Sequence, residues 1–154
     1  MKSPDALRSV AEFHRTFRVP VLESPRIPSP DRCQLRVNLL QEELDELREA
    51  IAEGNMVEIA DALADLQYVL SGAVLEFGLG SRFAALFDEV HRSNMSKTCA
   101  TREEAEATVA HYADLDQAGR VEESAGHYLV YRNTDNKVLK NINYSPADLE
   151  GQLR

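Results

Sequence analysis

Glu42-Glu43-Leu44-Asp45-Glu46 is followed, after Gly54-Asn55, by Glu58-Ile59-Ala60-Asp61 and then by Asp65 one turn further on. The segment around the first cluster reads as a helix. It opens at Ser29-Pro30-Asp31, a capping hydroxyl followed by proline at the first helical position. Cys33, Val37, Leu40, Leu44, Leu47 and Ile51 recur at alternating spacings of four and three, an apolar stripe down one side. At about 100° per residue, Glu42, Glu43 and Glu46 span an arc of roughly 100° away from that stripe. Gly54 ends this helix and Asn55 begins the next, which runs from Met56 to Phe77. Its expected buried side is Ile59, Leu63, Leu66, Leu70, Val74 and Phe77, with Glu58, Asp61 and Asp65 on a neighbouring side. A loop this short predicts antiparallel packing, which brings the two acidic clusters to a similar height.

Each acidic cluster has a plain explanation. Glu-Glu-x-x-Glu on a helix serves well as a solvated face, and Glu58 can complete a capping box with Asn55. Asp61 and Asp65 are harder to explain that way. Aspartate is a poor interior helix residue, and like charges one turn apart repel. A hard divalent cation such as Mg2+ compensates such a set, because oxygen-only ligands suit it. A phosphate ester that the metal can bridge is then the natural substrate.

The chain has 154 residues, formal net charge −9, 44% hydrophobic and 28% charged residues. This predicts one soluble domain with a real core. The acidic balance argues against a nucleic-acid partner, which would need a basic face. It does not argue against a nucleotide, since a metal supplies positive charge. Cys33 and Cys99 do not suggest a disulfide scaffold, and a reducing cytoplasm fits. Neither a signal peptide nor an apolar run of membrane-spanning length is expected.

Outside the central pair, Ser3-Pro4-Asp5 predicts a first helix running to about Phe17. His14 on it reads as a packed or surface imidazole. Pro20, Pro25, Pro28 and Pro30 make an extended strap. After Gly78-Leu79-Gly80-Ser81, a fourth helix with apolar Phe83, Leu86, Phe87 and Val90 leads into His91-Arg92-Ser93-Asn94-Met95-Ser96-Lys97. Thr101-Arg102-Glu103-Glu104 has a capping-box pattern and opens a fifth helix to about Leu115. Tyr128-Leu129-Val130-Tyr131 is β-prone, Asn133-Thr134-Asp135-Asn136 reads as a turn, and Lys137-Val138-Leu139 as the return strand. Lys137 and Lys140 then flank a hairpin, where lysine guards an edge.

The combination resembles the all-α nucleoside triphosphate pyrophosphohydrolases, a superfamily that includes MazG-like proteins, dimeric dUTPases and phosphoribosyl-ATP pyrophosphohydrolase. The paired acidic motifs carry the resemblance, with Glu12-Phe13-His14, Leu39-Leu40, the segment Val90–Lys97 and Asp135–Lys140. It implies a MazG-like helical bundle completed by oligomerisation, a homodimer or homotetramer, here with a small C-terminal β-hairpin. Residues 1–118 would be helical and 119–154 the hairpin and tail of the same domain. It also implies hydrolysis of a nucleoside triphosphate between the α and β phosphates. Carried across, Glu42, Glu43, Glu46, Glu58 and Asp61 would hold Mg2+, with Mn2+ as an alternative. Glu43 would be the base, Glu46 a further catalytic carboxylate and Asp65 an outer-shell candidate. Asn94, Lys97 and Arg92 would contact phosphates or sugar, and Lys137 and Lys140 would close over the phosphates.

Three functional readings follow. The first is a cytoplasmic Mg2+-dependent pyrophosphohydrolase of nucleoside or deoxynucleoside triphosphates that clears the nucleotide pool. The second is a narrower enzyme for dUTP or phosphoribosyl-ATP; the latter kind is typically shorter and lacks this tail, which ranks it lower. The third is an all-α oligomer that binds nucleotide or metal without turnover.

Overall fold

A computed structural model of the chain describes residues 4–153. The elements are α1 (Ala6–Thr16), α2 (Pro30–Glu53), α3 (Met56–Glu76), α4 (Phe83–Met95), α5 (Arg102–Ala113), β1 (Gly119–Ser124), β2 (His127–Arg132) and a last short turn, α6 (Leu149–Leu153). The fold is mostly helical with one small antiparallel hairpin near its C-terminal end. It divides into two compact units, the residues up to Phe83 and those from Ala84 on. No helix among the described residues is long and apolar enough to cross a membrane.

The first unit is α1 packed on the α2–α3 hairpin. Ser3 lies outside the described residues, and Asp5 caps α1, its side chain accepting from the Arg8 N–H at 3.3 Å. Pro30 stands in the first turn of α2, as the sequence predicts, although the Ser29 hydroxyl makes no capping bond. Gly54, in the left-handed conformation at φ 68°, closes α2. Asn55 then opens α3, its side-chain oxygen accepting from the N–H groups of Val57 and Glu58 at 3.2 and 3.4 Å. The proline strap runs along the C-terminal end of α3. Leu22 donates to the Leu75 carbonyl, which also takes the Gly78 N–H, and Arg26 donates to the Phe77 carbonyl at the helix end. The strap passes so close to Gly78 that a Cβ there would stand 1.9 Å from the Ser24 carbonyl oxygen.

The interior of this unit is partly polar. Val10, Ala11 and Leu75 form an apolar cluster with Leu7 and Val21. Beside it Glu76, 1% exposed, takes hydrogen bonds from Arg32 and from Arg36, itself 6% exposed. His14 is buried too, its Nδ1 3.0 Å from the Pro20 carbonyl. The apolar side expected for α3 is only partly covered. Val74 is buried, whereas Leu63 and Leu70 are 52% and 40% exposed. The α2 stripe likewise leaves Val37, Leu44 and Ile51 open. The reason lies in the packing: α3 has its small residues Ala62, Ser71 and Gly72 buried, and α1 with α2 covers only part of its circumference.

In the second unit Cys99, Ala105, Val130 and Leu139 form the core, with Val109, Tyr112, Val121 and Tyr128 packed against it. Both cysteines are free. Thr101 caps α5 by accepting from the Glu104 N–H, and Glu104 accepts from the Ala100 N–H at 2.7 Å. The hairpin differs from the expected one. Tyr128–Tyr131 is a strand, but its partner is β1, with Val121 opposite Val130, and not Lys137-Val138-Leu139. That segment makes only an isolated bridge, Tyr131 to Val138, anchored by Leu139 N–H to Val130 carbonyl at 2.8 Å. The turn that decides the pairing is Ala125-Gly126, both at positive φ (50° and 78°), the conformation a two-residue hairpin requires. Glu122-Glu123-Ser124 lacks a strand's apolar alternation, so pairing with β2 makes it a strand.

Candidate active site

The α2–α3 hairpin places the acidic residues as follows. Glu42 and Glu46 on α2 and Glu58, Asp61 and Asp65 on α3 are exposed, and Glu43 is half-buried between its neighbours. Oε2 of Glu43 is buried without a hydrogen-bond partner. Burial raises the Glu43 carboxyl above the ordinary value, and the charges of Glu46, Asp65, Glu42 and Asp61 raise it further. Residues from both helices therefore act on one carboxylate. Among the charges that raise Glu43, Asp65 comes second after Glu46. Glu58 lines an open cleft of about 370 Å³ with Glu46, Glu49, Ala50 and Glu53.

Among the described residues, none of Glu42, Glu43, Glu46, Glu58, Asp61 and Asp65 has an ion-pair partner, whereas Asp45 in the same run is neutralised by Arg48 and bonded by Gln41. A cluster of carboxylates with no counter-charge and one buried orphan oxygen is what a divalent cation would satisfy. The donors fit Mg2+ in kind. They are not gathered tightly: among the described residues no three His, Cys, Asp or Glu side chains stand close enough to hold a metal ion as they are.

Of the predicted substrate contacts, Arg92 is held by Glu89 in a two-bond pair, both 2.8 Å, and donates to the Pro146 carbonyl. Arg92 and the Asp148 N–H hold the Glu89 carboxyl down at about 2. Asn94 accepts from Lys97 Nζ at 2.7 Å. Lys97, Lys137 and Lys140 line one cleft of about 240 Å³ within the second unit, together with Arg132. The sequence reading missed Arg132, and it missed the buried set Arg32, Arg36 and Glu76. A signal was present for the latter: Glu76 interrupts the apolar run Ala73-Val74-Leu75 and Phe77.

Residues 10–94 match the family described as phosphoribosyl-ATP pyrophosphohydrolase. The chain belongs to the phosphoribosyl-ATP pyrophosphohydrolase family. This family is part of the MazG-like nucleoside triphosphate pyrophosphohydrolase superfamily, in agreement with the resemblance carried by the acidic motifs. The family match contains all six carboxylates described above, with Arg92 and Asn94, and stops before Lys97, Lys137 and Lys140. The chain is also 38% identical over 76 residues to Uncharacterized protein L479 of Acanthamoeba polyphaga mimivirus. That similarity covers 47% of this chain and 30% of the viral protein, so the chain spans well under half of that relative's length.

Proposed function

We propose that this phosphoribosyl-ATP pyrophosphohydrolase family member hydrolyses a nucleoside or deoxynucleoside triphosphate between the α and β phosphates, giving monophosphate and pyrophosphate. The observation that carries the reading is the orphan oxygen of Glu43 amid carboxylates that have no counter-charge. Glu42, Glu43, Glu46, Glu58 and Asp61 would hold Mg2+, or Mn2+ in its place, and Asp65 belongs with them. When bound, the cation supplies neutralisation of the phosphate oxygens and of the leaving pyrophosphate. Glu43 accepts the proton of the attacking water. The water oxygen bonds to the α-phosphorus as the bond to the bridging oxygen breaks. A half-buried carboxylate with one oxygen free of hydrogen bonds suits that role. Arg92, Asn94, Lys97, Lys137 and Lys140 serve as contacts to phosphates or sugar.

The exposed Val37, Leu44 and Ile51 of α2 and Leu63 and Leu70 of α3 support a homodimer or homotetramer that covers them. A cytoplasmic role in clearing nucleotides fits this chemistry. The test is product analysis with Mg2+ on a panel of nucleoside and deoxynucleoside triphosphates, dUTP and phosphoribosyl-ATP included. Monophosphate plus pyrophosphate from any of them supports the reading, and the ranking sets the substrate. Diphosphate plus phosphate, or no turnover of the whole panel by folded protein, overturns it in favour of other chemistry or of binding alone.

A further inference from the structure

The second unit is acidic, with twelve Asp and Glu against eight Lys and Arg from Ala84 on. Its cations are nevertheless concentrated. Lys97, Arg132, Lys137 and Lys140 line a single cleft of about 240 Å³, and no carboxylate is among the lining residues. Val138, the buried Leu139 and Tyr112 supply apolar lining. One sign of charge in a cleft with low-dielectric walls focuses the field and concentrates a counter-ion.

The cleft is built rather than incidental. Asp135 grips Arg132 through two bonds, at 2.8 and 2.7 Å, and also accepts from the Lys137 N–H at 3.2 Å. Asn136, at φ 56°, turns the chain between them, and the Arg132 N–H donates to the Lys137 carbonyl at 2.9 Å. Lys140 is placed by its N–H on the Tyr112 hydroxyl at 3.2 Å and by its ammonium 4.3 Å from the Tyr144 ring centre. Lys97 is held by the neutral oxygen of Asn94. Asp135 offsets Arg132, leaving three ammonium groups in excess.

We propose that this cleft is an anion site for a compact, multiply charged phosphate, of which inorganic pyrophosphate is the matching species, and that it binds without a divalent cation. At about 240 Å³ it falls below the roughly 300–1,000 Å³ of pockets that enclose drug-sized ligands. Lysines act on phosphate as point charges and need no fixed fork geometry. The site deepens the proposed reaction, whose phosphate contacts include Lys97, Lys137 and Lys140, and pyrophosphate is the probe because it is the leaving group.

The test is calorimetric titration of the full chain with sodium pyrophosphate in excess EDTA, at low and at 0.5 M salt. The wild type binds one pyrophosphate per chain, with affinity falling as salt rises. Lys137→Ala/Lys140→Ala weakens binding at least about tenfold through loss of two charged donors, and Lys97→Ala weakens it similarly. Circular dichroism checks the fold of each variant. Glu46→Gln binds like the wild type, since the carboxylates take no part. Absence of binding in the wild type, binding unchanged in both lysine variants, or binding lost in Glu46→Gln overturns the site. Wild-type protein that hydrolyses nucleotides but ignores pyrophosphate in EDTA sinks this inference alone. Protein that binds pyrophosphate but hydrolyses nothing sinks the enzymatic reading alone.

Discussion

Arg36 of α2 and Glu76 at the end of α3 form an ion pair whose two side chains are 7% and 1% exposed. Arg32 gives Glu76 a second charged partner from one turn earlier on α2. Burial by itself would raise the Glu76 carboxyl, but the hydrogen bonds from Arg32 and Arg36 outweigh it and hold the group below the ordinary glutamate range. The pairing ties the start of α2 to the end of α3, while Gly54-Asn55 ties their other ends. The acidic residues lie on the frame between these two fastenings.

Removing Arg36 leaves the buried Glu76 carboxylate with Arg32 alone, a partner whose side chain is 34% exposed. Arg36→Ala is therefore expected to lower unfolding free energy by about 3–5 kcal/mol, read from urea denaturation. Glu76→Gln, which strands two guanidinium groups, should be destabilising as well. Wild-type stability in both variants would show that the seam contributes little.

The same seam predicts a two-step acid response. His14 is depressed from 6.5, chiefly by burial, with the nearby Arg36 and Arg32 adding to it and the Pro20 carbonyl and Glu76 opposing it. The unfolded chain then binds the proton first, so stability declines as pH falls below 6.5. Glu76, depressed from 4.5, gives stability that is present above that value and lost as pH falls through its lower folded value. Thermal melts from pH 8 to 3 should show a shallow loss first and a steep one below about 4.5. His14→Gln should flatten the first step only, and an unchanged first step would remove His14 as its origin.

The carboxylates around Glu43 repel one another, because its carboxyl is raised in part by Glu46, Asp65, Glu42 and Asp61. Without divalent cation, Asp65→Asn and Glu46→Gln should therefore melt slightly higher than wild type at pH 7. Adding Mg2+ should stabilise the wild type more than either variant. Equal responses to Mg2+ in all three would mean that these acids hold no cation.

Much of this was legible in the chain and some was not, for reasons that differ by residue. Ser29-Pro30, Gly54-Asn55 and Thr101–Glu104 mark helix ends through local chemistry, so α2, α3 and α5 stand where spacing places them. The hairpin partner differs because Asn133–Asn136 reads as a turn while Glu122-Glu123-Ser124 lacks apolar alternation, and the packing of Val121 and Val130 decides the pairing. Asp65 lies outside the motif and is an outer-shell candidate by its place one turn from Asp61, and its charge raises Glu43. Arg36 and Glu76 are forty residues apart and no local rule pairs them. The gathering of Lys97, Lys137 and Lys140 into one cleft is likewise a product of tertiary packing.

The central claim is that Glu43 and the carboxylates around it carry out the hydrolysis. The most direct measurement is pyrophosphate release with Mg2+ by wild type and by Glu43→Gln, which keeps the side chain's size and removes its charge. The variant is expected to retain the helical signal and oligomer size of wild type while its rate falls by about 10²–10⁴-fold, the range for loss of a general base. Glu46→Gln and Asp61→Asn should each abolish most turnover too. A Glu43→Gln protein that releases pyrophosphate at the wild-type rate would contradict the account.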